Sequence, residues 1–573
     1  MPTHTEQNSN ILIKSVFCQI LRSAGSITCE SYQSPKPVKE NIVSFVSLPF
    51  YAFCLLLLLA YYLVPKKGQI AVLLAFNIFF ILASSGWLAL FMLITMVTTY
   101  YAGRVMNANG RRCREQIAAM EEPTRKERAK VKAGWTRRNR QVLIAALIAN
   151  FGIWAVIKYT DFVVLNLNKI GSHFGFATVP YANFLMPLGI SFYTFTAMGY
   201  LIDVYREKYK ADEDFLHVAV FITLFTHLIE GPFSRFDTLG KTLFEPHTFS
   251  YERLCLGGRR VLWGLCKKII IADQLAIAVN YYYKNVNLYT GLYSVAAILL
   301  YAMQLYADFS GYMDIACGIS LMLGIRLDEN FRRPFLAVSV EDFWRRWHIT
   351  LGTWFRDYVF YPVAFSHTAQ KIGHNSRRKF GPRMGKLVPS YLALIFVWTI
   401  TGLWHGAAWQ YVFWGLANLF IIVFSMQAQP LYDKAKAILH ADRHPVLWRA
   451  FQIARTFCIV GFLRVMSRTR GLRECLQLYQ RVFGGWKNLG SWLHAGLWTY
   501  FPKMQSISIF TAGFFSLLLI GVDILEETGK WETVKEKTPG ILRMTVYAGL
   551  FIVLLICAGE TAGTATGFMY EIY

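Results

Sequence analysis

The sequence is poor in charge. Only 16% of its 573 residues are Asp, Glu, Lys or Arg, where soluble domains carry about 25%. Acids are the scarcer sign, 35 against 59 Lys and Arg. So little charge beside so much apolar residue excludes a disordered chain. None of the ten cysteines forms a Cys-x-x-Cys pair, which removes the usual signature of a structural zinc site or a dithiol redox centre. Cys54, Cys458 and Cys557 lie inside apolar runs and read as reduced core residues. No Gly-x-Ser-x-Gly occurs, so no serine nucleophile is signalled. No internal repeat is evident either, so the inverted-repeat pattern of many secondary transporters is missing.

What the chain has is apolar length. Apolar residues make up 55% of it. They fall in runs such as Val43–Val64, Val142–Leu167, Phe184–Val204, Leu387–Leu403 and Leu542–Cys557. Runs near 20 residues, without ten-residue alternation, predict membrane helices rather than a barrel. The expected fold is all-α and polytopic, with roughly eleven to thirteen membrane helices. Several runs are short and interrupted by polar residues, which predicts re-entrant or interfacial helices around a protein-lined passage.

The net charge of +24 follows from topology rather than from nucleic-acid binding. Between Arg104 and Arg140 lie twelve basic residues and four acids. The loop from Phe365 to Val388 carries six basic residues and no acid. Both are expected in the cytoplasm. Residues 1–42 are polar and mixed, with no charged start followed by an apolar stretch, and read as a loose tail without a removable signal. The remaining chain divides into a core at 43–430 and further membrane helices at 431–573.

Three polar features break the apolar background. In Glu341–Pro362, the residues Trp344, Trp347, Leu351, Trp354, Phe355 and Tyr358 recur at spacings of three or four, which predicts one face of an amphipathic helix. His348 lies on that face, beside Trp347 and Arg346. His405 closes an uncharged run in Gly402-Leu403-Trp404-His405-Gly406. A titratable group there is costly to bury and marks a functional candidate. The two glycines are expected to leave room for a substrate. Third, Asp308 and Asp314 interrupt the apolar segment Tyr306–Asp314. Six residues apart, they do not share a helix face, and helix capping around Ser310-Gly311 is the competing reading.

Four segments together resemble the membrane-bound O-acyltransferase (MBOAT) family: Pro187-Leu188-Gly189-Ile190-Ser191-Phe192-Tyr193-Thr194-Phe195, the Tyr306–Asp314 segment, Phe343-Trp344-Arg345-Arg346-Trp347-His348, and the segment around Trp404-His405-Gly406. The resemblance covers roughly residues 43–470 and is nearest the bacterial branch of alginate O-acetyltransferases and teichoic acid D-alanyl transferases. Leu228-Ile229-Glu230-Gly231-Pro232, Lys267-Lys268-Ile269-Ile270-Ile271-Ala272-Asp273 and the ending Gly567-Phe568-Met569-Tyr570 are similar to the acetyltransferase type. Phe462-Leu463-Arg464 departs from that type's usual Phe-Phe-Arg run.

The resemblance implies a multi-pass protein of the bacterial inner membrane. It would move an acyl group, most simply acetyl, from a cytoplasmic thioester such as acetyl-CoA to hydroxyls of an exported or cell-surface polysaccharide. It implies His405 as general base and His348 as second catalytic residue. Asp308, Asp314, Arg346, Trp347 and Trp404 would serve the passage or its structure. No metal and no bound cofactor are implied. The expected partners are the thioester donor, the polysaccharide, the bilayer and an extracytoplasmic esterase-like protein. The alternatives are D-alanyl transfer to teichoic acid, against which the long C-terminal extension argues, and a non-catalytic polymer transporter or channel.

Overall fold

The computed structural model describes residues 44–469, 471–486, 490 and 506–561. The expected tail at 1–42 and the Gly567–Tyr570 ending lie outside them. Among the described residues the chain is helical, with no strand; an isolated antiparallel bridge joins Phe331 and Trp347. The apolar runs become α1 (Leu48–Leu63), α2 (Gln69–Ser85), α3 (Ala89–Ala118), α4 (Arg125–His173), α5 (Ile190–Tyr205) and α6 (Phe215–Thr223). Then follow α7 (Tyr251–Leu265), α8 (Asp273–Lys284), α9 (Leu292–Met322), α10 (Val340–Arg346), α11 (Ile349–Phe355) and α12 (His367–His405). The last are α13 (Trp409–Gln427), α14 (Pro445–Arg468), α15 (Ser506–Glu527) and α16 (Gly540–Thr561). Among the described residues seven stretches are long and apolar enough to cross a membrane, the first of them containing both α2 and α3. The apolar helix α1 is shorter.

The basic segment Arg104–Arg140 is not a loose loop. It is the far end of the α3–α4 hairpin, started by a capping box in which Thr124 Oγ1 accepts from Glu127 N and Glu127 accepts from Thr124 N. At about 1.5 Å per residue a helix of this length outruns about 30 Å of hydrocarbon more than twofold, so its charged turns stand clear of the bilayer. The basic segment after Phe365 is likewise helical, as the first turns of α12, with a break at Gly381 (φ 88°) before Pro382.

At the centre is α9, buried on almost every face. It packs against α7 with backbone nearly touching backbone. A Cβ added at Gly264 would lie 2.6 Å from the Gly311 oxygen, and one at Gly318 would lie 2.7 Å from the Gly257 oxygen. Glycines seven apart on each helix meet in antiparallel pairs, so only residues without side chains allow this crossing.

The same crossing sets a layer of buried charge. After α7 the chain continues as a wide π-helical segment, Cys266–Ala272, of the kind often found at functional sites. It turns Lys267 and Lys268 toward α9. Lys268 Nζ lies 2.8 Å from Asp308 Oδ1 and 2.9 Å from Asp273 Oδ1. Lys267 Nζ and Arg260 Nε lie 2.7 and 3.0 Å from the two oxygens of Asp314. Tyr306 donates to Asp523 of α15 at 3.0 Å. The two aspartates sit in the middle of one unbroken helix, so the capping reading around Ser310-Gly311 is wrong. Their lysine partners, 40 and 47 residues away, pay for their burial.

Glu341–Pro362 also differs from the single amphipathic helix predicted. It breaks at His348, which adopts left-handed backbone (φ 49°, ψ 51°) between α10 and α11. Such a conformation costs a non-glycine residue about 1–3 kcal/mol and persists only where the surroundings over-determine it. Here they do. Arg332 N donates to Arg346 O at 2.9 Å, and Ile349 N donates to Asn330 O at 3.0 Å, clamping the turn from both sides.

Candidate active site

His348 is held by the residues around that turn. Thr350 N donates to Asn330 Oδ1 at 3.1 Å, which fixes the amide's orientation, and Thr350 Oγ1 donates to the same oxygen at 2.7 Å. Phe233 N in turn donates to Thr350 Oγ1 at 2.9 Å, tying in the chain after Gly231-Pro232. His348 Nδ1 lies 3.4 Å from Asn330 Oδ1. Because that oxygen can only accept, Nδ1 carries the proton and Nε2 keeps a bare lone pair. Nε2 is buried and has no hydrogen-bond partner among the described residues. Burial, then the charge of Arg464, holds the imidazole well below the ordinary histidine range, so the ring is neutral at physiological pH.

His405 is the last residue of α12, and the end of that helix is anchored from α4. Lys158 Nζ donates to the Trp404 oxygen and Tyr159 Oη to the Leu403 oxygen at 2.7 Å. These are carbonyls that a helix C-terminus leaves without intrahelical partners. Lys158 is itself buried. Gly402 and Gly406 do not open space for a substrate. A Cβ on Gly402 would strike the backbone of Tyr411, and one on Gly406 its ring. Their role is to let the start of α13 close against the helix end.

The indole of Trp404 touches both histidines. Its centroid is 4.8 Å from the His405 ring and 6.0 Å from the His348 ring. Trp414 meets His405 edge-on at 5.0 Å, and Phe309 meets His348 edge-on at 4.9 Å. Both histidines line one cavity of about 110 Å³, together with Trp347, Tyr301, Thr401 and Arg464. That cavity brings together three of the proposed site residues, His348, His405 and Trp347, with Trp344, Leu351 and Phe355 of the same aromatic pattern. Trp404 packs behind the wall. Asp308, Asp314 and Arg346 are not among the lining residues. Arg346 instead pairs with Asp342 at 3.0 Å and with Glu527 of α15 at 3.1 Å.

Sequence reasoning missed Asn330, Lys158 and the place of Arg464. Lys158 had a signal, a lone lysine inside the Val142–Leu167 run. Asn330 had none, since its part is defined only by what folds against it. Among the described residues no group of three or more His, Cys, Asp or Glu side chains is placed to hold a metal.

Comparison with known proteins adds to the geometry. A profile of the membrane-bound O-acyltransferase family matches residues 210–376. The probable alginate O-acetylase of Pseudomonas putida is 31% identical over 451 residues, 78% of this chain and 81% of that protein. The Pseudomonas aeruginosa counterpart is 33% identical over 359 residues, spanning 62% of each chain. The peptidoglycan O-acetyltransferase of Helicobacter pylori is 30% identical over 369 residues, 60% of this chain and 64% of that protein.

Proposed function

Because the chain belongs to the membrane-bound O-acyltransferase family, and is thus an O-acyltransferase of a membrane, we propose a finer reading: it moves an acetyl group from a cytoplasmic thioester to hydroxyls of an exported or cell-surface polysaccharide. The observation that carries it is the shared cavity, lined by two histidines from motifs 57 positions apart in the sequence. Relatives named as acetylases of alginate and of peptidoglycan support acetyl as the group and a polymer as the acceptor. Acetyl-CoA is the simplest donor.

The chemistry is direct transfer. His405 takes the hydroxyl proton as the acceptor oxygen attacks, which suits a neutral imidazole. His348 orients the acceptor: with Nδ1–H committed to Asn330, its Nε2 accepts a hydrogen bond from a second hydroxyl of the sugar. The donor enters from the cytoplasm and the polymer from the outer face of the bacterial inner membrane, where an esterase-like partner meets it. Mass spectrometry of the surface polymers of a deletion strain tests the reading. Loss of O-acetyl ester from one polymer, restored by the gene and not by a His405→Ala version, supports it; unchanged acetylation of every polymer sinks it.

A further inference from the structure

Direct transfer creates negative charge at a definite place. The new O–C bond forms as the hydroxyl proton passes to His405 and the thioester C=O electron pair moves onto oxygen. Collapse re-forms C=O and breaks the C–S bond, and the departing thiolate takes the proton back from the imidazolium. Between those events one oxygen carries a full negative charge in a buried site. Such an oxyanion needs donors set in place beforehand, and they matter most where water is excluded. His348 is not that donor: its only N–H faces Asn330, and its other ring nitrogen is a bare lone pair.

Arg464 is the candidate the cavity offers. Among the described lining residues it is the only permanently charged side chain. It is 5% exposed. Its Cζ lies 4.0 Å from the centroid of the Trp347 ring, the residue next to His348. Stacking occupies the face of a guanidinium, while its five N–H donors lie in the plane. A cation held this way is aimed by its neighbours before any substrate arrives. The same charge disfavours an imidazolium at His348, which keeps that ring an acceptor.

We propose that Arg464 is a catalytic residue, stabilising the oxyanion formed on the donor carbonyl. The role rests on the acyl-transfer reading above. It is tested with the full chain in native membranes, using labelled acetyl-CoA as donor probe and the endogenous polymer as acceptor. Removing one oxyanion donor lowers turnover about 10²–10³-fold. Arg464→Gln is expected to lower kcat by that factor, with the KM for acetyl-CoA changed less than about threefold. Arg464→Lys keeps the charge but not the planar fork, and should still lose about tenfold in kcat. It is the decisive variant should Arg464→Gln fail to accumulate. Normal kcat in either folded variant, or a loss confined to KM, overturns the inference. His405→Ala is run in parallel. If it is active, the reading of the site itself fails; if it is inactive beside a fully active Arg464→Gln, only the role of Arg464 fails.

Discussion

Lys158 and Trp404 are joined by a hydrogen bond from the lysine Nζ to the tryptophan carbonyl across 246 residues of sequence. The bond ties the α12 terminus that carries His405 to the long helix α4, next to a second tie from Tyr159.

Cutting that tie should disturb His405 without removing it. Lys158→Met keeps the apolar stem and leaves the Trp404 carbonyl without its lysine donor, a loss of about 1–3 kcal/mol. Misplacing a catalytic group by about 1 Å can cost about 10²-fold. The expected outcome is a modest fall in thermal midpoint and a fall in kcat of about 10–100-fold. A fall in midpoint with unchanged kcat would make the lysine purely structural.

The histidines should behave as one unit. His405→Ala is expected to cut acetylation by about 10²–10⁴-fold, the usual worth of general-base assistance, while the protein still inserts and folds. His348→Ala added to it should cost little more, because residues acting together are not additive. Acetyl ester content of the polymer, normalised to folded protein, measures both. A folded His405→Ala enzyme working at full rate would bring back the transporter alternative.

The buried charges of α9 should act on folding. Lys268 bridges Asp308 and Asp273, and removing one partner of a buried pair costs about 3–5 kcal/mol. Lys268→Met and Asp308→Asn should each lower the yield of folded protein and activity together. Full yield with no activity in Asp308→Asn would instead make the carboxylate part of the chemistry.

The α7–α9 crossing should discriminate between neighbouring glycines. Gly264→Val drives a side chain into the Gly311 carbonyl and should abolish folding. A Cβ at Gly258 meets only the end of Met322 at 3.7 Å, so Gly258→Ala should be tolerated. Fluorescence-detected size exclusion reads both, and equal yields would refute the close approach.

Orientation is open to labelling. Single cysteines at Glu121, in the turn of the α3–α4 hairpin, and at Gly381, within α12, are expected to resist an impermeant thiol reagent in intact cells, because both lie in basic segments. Labelling of both from outside would invert the topology and the side from which the donor enters.

Much of this protein was open to reading from sequence, and the reason is that some physical signals are local. The length of an apolar run reports a membrane helix because the hydrocarbon thickness sets that length. Histidines in apolar surroundings mark candidates for function because burying an imidazole needs a reason. That is why His348 and His405 could be named as candidates from their own neighbours in sequence. Other readings failed where the local pattern was ambiguous. Asp308 and Asp314 suggest a helix cap around Ser310-Gly311 until Lys267 and Lys268 stand opposite them. The Trp344–Tyr358 pattern reads as one helix, because nothing in it announces that residues 330–332 will clamp His348 into a left-handed turn. Gly402 and Gly406 suggest open space, and Tyr411 fills it. What tertiary structure alone decided is the site's chemistry: which nitrogen of His348 bears the proton, what holds His405, and that Arg464 shares their cavity. Each depends on a contact between segments far apart in the chain, and such a contact exists only once burial has brought the segments together.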